Sequence, residues 1–483
     1  MNNSQIVSFD QINFGKADAH TEGEDYPTLL EKGYLDISSV VDKALNSSVF
    51  LFLGYKGSGK SSLSEHLRLK LGESIVDQQG LKDFPFKEFD RILKIDDRPI
   101  RYKQMWKWLL CVKVFCDLYS DADAIIKSNE SVSKIVEVLT QAGLFPVLNI
   151  SSLVKKTSSN TVKASLKPLE FSRSDTKTNS DVDIEMVSEY LKSALSFFKE
   201  EKKHVLIIDE LDDILTPNGI QFYIISALIN EVKDLNRYFL LSYIPIKILV
   251  LCRTDMFERL PDPNKNKIKQ DQSFVFTWYR EGVDNPRASD LINLINIRAR
   301  LVFPQLDDVF KTFFPRSYNG VNVYSALLDY TRHTPRDFIQ LLNHIQRQCP
   351  SNTVNVTIKQ IDKGVNEYSA EYFKQEIADE MSGYLTRDAI DGVFSVLSSL
   401  RSRDFYLKAF VEKSEYNPHL KGVEVLDIMR VLYDCSAIGH IYSYDGGGTS
   451  RVTFKYRNRF SSFSPDEKIM LHKGLWKALN VNY

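Results

Sequence analysis

The sequence has few cysteines and no excess of charge of either sign. Five cysteines are scattered along 483 residues, at positions 111, 116, 252, 349 and 435. Their odd number and wide distribution argue against a disulfide framework, and the spacing of Cys111 and Cys116 does not fit a zinc knuckle. The formal net charge is −1, so we expect no global attraction to nucleic acid or to a membrane surface.

Long apolar runs are also missing. The most apolar helix candidate, residues 105–118, is interrupted by Lys107 and Lys113, whereas a membrane span needs about 20 apolar residues. The N-terminus lacks a basic segment followed by an apolar one. We therefore expect a cytoplasmic protein without a membrane partner. The 43% of apolar residues can fill several cores, and at roughly 150 residues per domain the length predicts about three domains.

The hydrophobic pattern predicts alternating strands and helices in the first part of the chain. Apolar runs at 48–53, 204–208 and 246–251 are typical of buried parallel strands. A helical pattern separates the last two, which predicts a βαβ unit, and 273–278 resembles a further strand. Residues 101–145 have helical spacing, and the polar stretch 155–183 is predicted to be a mobile surface insertion.

The second part of the chain changes character. Residues 285–365 have a helical pattern throughout, and several helices follow from residue 366. The chain then predicts a β-hairpin, with strands 440–444 and 451–456 joined by three glycines at 446–448. Helices followed by such a hairpin are typical of a winged helix.

A complete phosphate-binding loop follows the first strand. Residues 54–61 read Gly-Tyr-Lys-Gly-Ser-Gly-Lys-Ser and fit the P-loop pattern fully. The glycines let backbone amides face phosphates at a helix N-terminus. Lys60 is expected to reach the β- and γ-phosphates of ATP, and Ser61 to bind Mg²⁺. The predicted nucleotide-binding residues are Gly54, Lys56, Gly57, Ser58, Gly59, Lys60, Ser61 and Ser62.

Two acids follow the second apolar strand. In P-loop ATPases an acid at this place, here Asp209, holds Mg²⁺. The next residue, Glu210, is expected to orient the attacking water. The alternative is a strand that ends in two surface acids. Other P-loop classes fit less well, because Asn264-Lys265-Asn266-Lys267 has lysine where guanine recognition needs aspartate, and no ABC-type signature is present.

Two arginines are candidates for contact with the γ-phosphate. Arg253 comes directly after the strand at 246–251 and Cys252. The alternative to a phosphate contact is an ion pair of Arg253 with Asp255 or Glu258. Arg336 follows Thr334 and Pro335, which predict a helix start with Thr334 as N-cap. A cation in the first helical turn opposes the helix dipole unless an anion is near. That anion is a nucleotide phosphate or, as the alternative, Asp337.

Together these motifs resemble the AAA+ and STAND branch of P-loop ATPases, and among them bacterial proteins with origin-recognition-like architecture that are often encoded beside anti-phage defence or mobile-element genes. The resemblance implies an α/β fold: a P-loop NTPase core with a parallel sheet, a helical lid and a C-terminal winged-helix-like domain. The expected boundaries are 1–45 for a lead-in, 46–280 for the core with an insertion at about 101–183, 281–365 for the lid and 366–483 for the tail.

Two functions remain open from the sequence. One is an ATP-driven switch or sensor that regulates an effector protein or its own assembly as a homo-oligomer. The other is a DNA-binding ATPase of the replication-initiator or transposition-regulator type. Strand alternation predicts one basic face on the hairpin, formed by Arg451, Thr453, Lys455, Arg457 and Arg459. The preceding helix, 421–434, has more acids than cations, which favours protein contacts over sequence-specific DNA binding.

Overall fold

The computed structural model describes residues 7–72, 75–92, 97–147, 149–159, 166, 184–199, 202–211, 219–280, 285–442 and 451–481. Most of the predicted polar insertion and the glycine turn of the hairpin lie outside these residues. The chain divides into two compact units. The sheet unit contains Ser38–Lys56 and Leu63–Phe276, and the lid–tail unit contains Met1–Ile37, Gly57–Ser62 and Thr277–Tyr483.

The described part of the sheet unit forms a five-stranded parallel sheet. Its strands are β1 (Leu51–Gly54), β2 (Val76–Gly80), β3 (His204–Asp209), β4 (Ile246–Arg253) and β5 (Ser273–Val275). Their order is β2-β3-β4-β1-β5, and every neighbouring pair is parallel. The central strands are buried along almost their whole length because helices cover both faces. The predicted α/β core is confirmed, with β4 inserted between the P-loop strand and the strand that ends in Asp209.

Helices before residue 277 are α1 (Ala19–Asp25), α2 (Pro27–Glu31), α3 (Val40–Asn46), α4 (Lys60–Leu71), α5 (Phe86–Ile92), α6 (Arg98–Asp121), α7 (Ala124–Lys127), α8 (Glu130–Gln141), α9 (Ile150–Thr157), α10 (Ile184–Ala194), α11 (Ile220–Leu241), α12 (Thr254–Glu258) and α13 (Lys265–Asp271). The central helix of the sheet unit is α6. Its Trp106 donates a hydrogen bond to the Ile224 carbonyl at 2.9 Å, and Trp108 donates one to Thr157 at 3.1 Å. The helix therefore anchors both α11 and α9 through buried indoles.

The cysteines of α6 are buried thiols, as the sequence predicts. Cys111 is fully buried and Cys116 nearly so. Burial raises the pKa of Cys116 to about 12 and raises the pKa of Cys111 further. Both side chains therefore act as small apolar groups in the core rather than as reactive thiolates.

The helices of the lid–tail unit after residue 277 are α14 (Asp290–Val302), α15 (Val309–Phe313), α16 (Val323–Leu328), α17 (Pro335–Arg347), α18 (Ile358–Glu367), α19 (Lys374–Met381), α20 (Arg387–Leu400), α21 (Leu407–Ser414) and α22 (Val425–Asp434). A π-helical segment, Tyr368–Phe373, joins α18 to α19. The prediction of helix throughout 285–365 is wrong at one place, where β6 (Ser317–Tyr318) and β7 (Val321–Asn322) form a short hairpin. Asn319 and Gly320 both have positive φ there, as a tight Asn-Gly turn requires.

The tail has the order of a winged helix. After α22 come β9 (Ile438–Tyr442), β10 (Arg451–Thr453) and β11 (Lys468–Leu471), and β8 (Asp404–Phe405) precedes α21. They form an antiparallel sheet in the order β10-β9-β11-β8. The predicted hairpin is confirmed as β9 and β10, and β11 was not predicted.

The predicted basic face of the hairpin is wrong. β10 ends at Thr453, so strand alternation stops there, and Thr453 itself is buried. Arg457 lies in the turn that follows, where it forms an ion pair with Asp329 at 3.1 Å and stacks over Tyr279 and Tyr456. The Arg457 guanidinium therefore makes contacts within the lid–tail unit. Among the described residues, no helix is long and apolar enough to cross a bilayer.

Candidate nucleotide-binding site

The P-loop takes a conformation that only glycine allows at two positions. β1 ends at Gly54 and α4 begins at Lys60. Between them, Gly57 has φ +78° and Gly59 has φ +95°, both in the left-handed region. A Cβ on Gly57 would lie 2.9 Å from the Cβ of Arg336, which is too close for real atoms. The loop therefore depends on both glycines, one of them for its contact with the start of α17.

Contacts in the lid–tail unit hold the loop in place. The Gly57 carbonyl accepts a hydrogen bond from the Arg336 amide at 3.3 Å, and the Ser58 carbonyl accepts one from Trp278 Nε1 at 2.8 Å. Nothing in the sequence distinguishes Trp278 for this role. The Ser58 hydroxyl is buried and has no hydrogen-bond partner in the described part of the chain. A buried polar atom of this kind fits a bound anion.

Lys60 and Ser61 occupy the first turn of α4. Lys60 is buried and Ser61 is exposed, with Ser62 partly exposed beside it. The first amides of a helix have no carbonyl partners within it, and the helix dipole adds positive potential there. Lys60 strengthens that potential at the same end. Positive potential is therefore concentrated at the start of α4.

The carboxyl ends of the strands bring the predicted acids to one edge of the sheet. Gly54 pairs with Arg253 across β1 and β4, and Asp209 pairs with Gly80 across β3 and β2. Glu210 has φ +58°, a conformation that costs a residue with a side chain roughly 1 kcal/mol or more. Its amide donates to the Asp209 carboxylate at 2.7 Å. Such local strain is common at catalytic positions.

Gly80 makes room for the Glu210 carboxylate. A Cβ on Gly80 would collide with that carboxylate, so glycine at the end of β2 lets Glu210 lie across the strand end. No motif in the sequence marks Gly80 as a residue of the site. The role of Gly80 can be recognised only from the pairing of β2 with β3, which places Gly80 beside Asp209 and so next to Glu210.

Arg253 is already engaged by a nearby acid. Its guanidinium donates to both carboxylate oxygens of Asp255, at 2.9 and 2.8 Å, and its side chain is 10% exposed. Burial alone would raise the pKa of Asp255, yet the pKa lies below its usual value because the Arg253 charge and hydrogen bonds favour the carboxylate. The ion pair that the sequence analysis held as the alternative is therefore present, with Asp255 and not Glu258 as the partner.

Arg336 stands at the start of α17 as predicted. Thr334 is the N-cap and accepts a hydrogen bond from the Asp337 amide, and Pro335 is the first helical residue. The alternative partner Asp337 is wrong, because Asp337 faces another arginine. The nearest carboxylate to Arg336 is Glu376, at 3.8 Å, which is an ion-pair contact but not a hydrogen bond. The Arg336 side chain is 26% exposed.

The partner of Asp337 is Arg332, which the sequence analysis missed. Arg332 bonds both oxygens of Asp337, at 2.9 and 3.0 Å, and also contacts Glu380 of α19. Tyr372 donates to Asp337 at 3.0 Å. Burial alone would raise the pKa of Asp337, but the charge and hydrogen bonds of Arg332 hold it below its usual value. This buried network ties the start of α17 to the π-helical segment and to α19.

Similarities to known proteins cover parts of the chain. The family model of the FunZ-associated C-terminal helical domain matches residues 289–375. An Escherichia coli (strain K12) protein named "Putative transposon gamma-delta 80.3 kDa protein" is 22% identical over 305 residues, which is 59% of this chain. The chain spans 41% of that protein's length.

Among solved structures, the chain is similar to the Aeropyrum pernix Orc1 protein in complex with DNA, at 12% identity and a TM-score of 0.32. That alignment covers 92% of this chain and 90% of the Orc1 chain.

Proposed function

We propose that this chain binds ATP with Mg²⁺ and hydrolyses it as an AAA+-type molecular switch. The observation that carries this most directly is the P-loop itself. Its two left-handed glycines, its buried and unsatisfied Ser58 hydroxyl and its lysine at the start of α4 together form a phosphate cradle. Asp209 at the end of β3 and the strained Glu210 after it would supply the two carboxylates that hydrolysis needs in addition.

The donor set suits Mg²⁺ and a triphosphate. Mg²⁺ takes oxygen ligands and keeps several waters, so one or two protein oxygens suffice beside the phosphates. Ser61 and Asp209 would provide them, and the ion would neutralise charge on the β- and γ-phosphates. Lys60 adds a second positive charge for those phosphates. The backbone amides of the loop, from Gly54 to Ser62, would bind phosphate oxygens.

Hydrolysis requires a group that orients water in line with the γ-phosphate. Glu210 carries the carboxylate for this role, and Gly80 keeps the space into which it extends. Positioning and electrostatics account for most phosphoryl-transfer catalysis. A glutamate held in one backbone conformation therefore contributes more than a mobile surface acid could.

A conformational change caused by the nucleotide would be transmitted to the tail through α17. Arg336 would contact the γ-phosphate, and its backbone already bonds the P-loop at Gly57. Arg336 and Arg332 both lie within 4.0 Å of Glu376. A phosphate that attracts Arg336 away from Glu376 would change the charge balance of the network that holds α19. The tail could then alter assembly with other copies or with an effector protein.

A second candidate function is ATP-dependent DNA binding by the tail. Among the described residues of the tail, the exposed aromatic side chains include Tyr406 at 58%, Tyr416 at 86% and Phe460 at 88%, and Arg459 stacks on Phe460. Exposed aromatics with arginine suit protein interfaces and also base stacking. Titration of labelled single-stranded and duplex DNA with the full chain, with and without ATP, separates the two uses. Tight binding that rises with ATP would favour the DNA candidate.

The binding test compares two lysines of the same loop. Lys60→Ala should lower ATP affinity by roughly 10- to 100-fold, because loss of a charged hydrogen-bonding group costs about 1.5–3 kcal/mol. Lys56→Ala keeps the backbone amide through which that residue would act, so it should bind nearly as the wild type does. Equilibrium binding of labelled ATP gives both values. Equal affinity for Lys60→Ala and the wild type would refute the nucleotide site.

Hydrolysis is tested at Glu210. Glu210→Gln keeps the size of the side chain and removes its charge, so turnover should fall about 100-fold or more, while ATP affinity stays within a few-fold. Phosphate release under saturating ATP and Mg²⁺ measures turnover. Glu258→Gln serves as the matched control, since Glu258 pairs with Lys269 elsewhere in the sheet unit. An unchanged rate for Glu210→Gln would assign catalysis to another residue.

A further inference from the structure

A cavity of the sheet unit lies at the amino ends of its strands. It measures about 490 Å³ and is bordered by the chain just before β1, by the starts of β3 and β4, and by the last turns of α11. The P-loop and the Asp209–Glu210 pair follow the carboxyl ends of β1 and β3. In a parallel sheet these are opposite edges, so this cavity, called here the basic groove, is separate from the predicted phosphate cradle.

Charge in the basic groove is predominantly positive. The cations that line it are Lys203, Lys233, Arg237 and Lys247. Asp234 is the carboxylate in the lining, and it pairs with Lys103, which is not part of the groove, and at 3.8 Å with Lys233, which is. The groove therefore has an excess of positive charge, although the whole chain has a net charge of −1.

Lys247 is held in a fixed position that leaves a donor available. Its ammonium group donates to the backbone carbonyls of Ser47 at 2.8 Å and Lys43 at 3.1 Å. An ammonium has three donors, so a third remains for a ligand. Burial and the neighbouring charge of Lys203 lower the pKa of Lys247 to about 8. An anion beside both lysines would offset the repulsion between them.

The other side of the basic groove is apolar. Leu45, Ile244 and Pro245 line it, and Leu240 borders it with 75% of its surface exposed. Leucine exposed to that extent at a cavity mouth can bury much more apolar surface on ligand binding. The volume lies in the range of small-molecule pockets, which are about 300–1,000 Å³, so a compact ligand fits better than a folded partner.

We propose that the basic groove binds a small organic anion with an apolar body. Its carboxylate or phosphate would lie against Lys247 and Lys203, and its apolar part against Leu45, Leu240 and Ile244. Decanoate carries both features, and decanol has the same chain without the charge. Octyl phosphate replaces the carboxylate by a phosphate and so distinguishes the two head groups.

Calorimetric titration of the full chain with these probes, kept below their micelle concentrations, tests the site. Decanoate should bind at least about 10-fold more tightly than decanol, since a charge-assisted hydrogen bond contributes about 1.5 kcal/mol or more. Lys247→Gln should remove most of that preference, and the exposed Lys203→Gln should reduce it without risk to folding. Lys267→Gln, an exposed lysine of α13 outside the groove, should not change it.

Two neighbouring leucines provide the control for the apolar part. Leu240 and Leu241 are 75% and 68% exposed, but only Leu240 lines the groove. Leu240→Ser should weaken decanoate and decanol alike by about 3-fold or more, and Leu241→Ser should weaken neither. Lys60→Ala should bind decanoate with wild-type affinity, which separates this result from that of the ATP experiment. Equal binding of decanoate and decanol, or equal effects of the paired variants, would overturn the proposal.

Discussion

The end of β4 and the start of α17 each present an arginine where a γ-phosphate contact is predicted, yet the two arginines differ in how far they are already engaged. Arg253 is bound through two hydrogen bonds to Asp255, two residues away. Arg336 has a longer, 3.8 Å contact with Glu376, which is 40 positions further along the chain, and its charge also acts on the exposed Asp18. A phosphate would have to displace a carboxylate from Arg253, whereas Arg336 can approach one at lower cost.

The difference shows what decides whether a charged side chain is available. Arg253 lies at the end of a strand and Arg336 at the start of a helix, and the sequence predicts both elements. Their partners differ because Arg332, which precedes α17, pairs with Asp337, so that Arg336 contacts Glu376 instead. Competition between two cations for one acid thus determines which arginine can respond to a ligand.

Removal of Arg332 should have the largest effect on this comparison. Arg332→Ala leaves Asp337 and Glu380 buried without their countercharge, and breaking a buried pair in this way costs about 3–5 kcal/mol. Urea unfolding of the full chain measures the loss in the lid–tail unit. Arg347→Ala, at the exposed end of α17, should cost about 0.5 kcal/mol or less. A loss at Arg332 as small as that at Arg347 would mean that the network contributes no stability.

The two predicted phosphate contacts should respond differently to truncation. Arg336→Ala should weaken ATP binding by about 10-fold and leave ADP binding unchanged, because an arginine on the terminal phosphate has nothing to bind in ADP. Arg253→Ala should instead lower stability, since it removes the two hydrogen bonds and the ion pair that Arg253 makes with the partly buried Asp255. Paired ATP and ADP titrations, with thermal unfolding of each variant, give the answer.

Asp255→Asn is the control for Arg253. It retains the shape of the side chain and releases the guanidinium from a charged partner. If Arg253→Ala selectively weakens ATP binding and Asp255→Asn strengthens it, Arg253 reaches the γ-phosphate despite its ion pair. The two arginines would then act together, and the contrast drawn from their partners would be wrong.

Local patterns predicted much of the fold. The strands β1, β3 and β4 are continuous apolar runs, the P-loop has a defined spacing, and Thr334-Pro335 forms the predicted helix start. Residues that depend on distant contacts were not predictable. Gly80 matters because β2 pairs with β3, and Trp278 because its indole reaches Ser58. The prediction of a basic face on the hairpin was wrong for a related reason. Side chains alternate between two faces only within a strand, and β10 ends at Thr453.

The smallest expected effect concerns His333, which lies between Arg332 and the N-cap Thr334. It has φ +51° and stacks on Tyr456 with ring centroids 5.3 Å apart. Burial, with the nearby charge of Arg457, lowers the pKa of His333 to about 3. Because the unfolded chain takes up a proton near pH 6.5 and the folded chain does not, the stability from His333 is present above that pH and is lost as the pH falls toward 3.

At pH 5.5 this loss should reach roughly 1 kcal/mol, from the linkage of about 1.4 kcal/mol per pH unit. His333→Phe retains a ring that can stack on Tyr456 and cannot take up the proton, so the difference in unfolding free energy between pH 7.5 and 5.5 should shrink by that amount. His419→Phe, which removes an exposed histidine of the tail, should leave the difference unchanged. His440 and His472 are also buried with lowered pKa values and still reduce stability in acid. The quantity to compare is therefore the pH-dependent difference in unfolding free energy of each variant against that of the wild type. If His333→Phe retains the full wild-type difference, His333 is accessible to protons in the folded chain, and the segment before α17 is more open than the stacking of His333 on Tyr456 indicates.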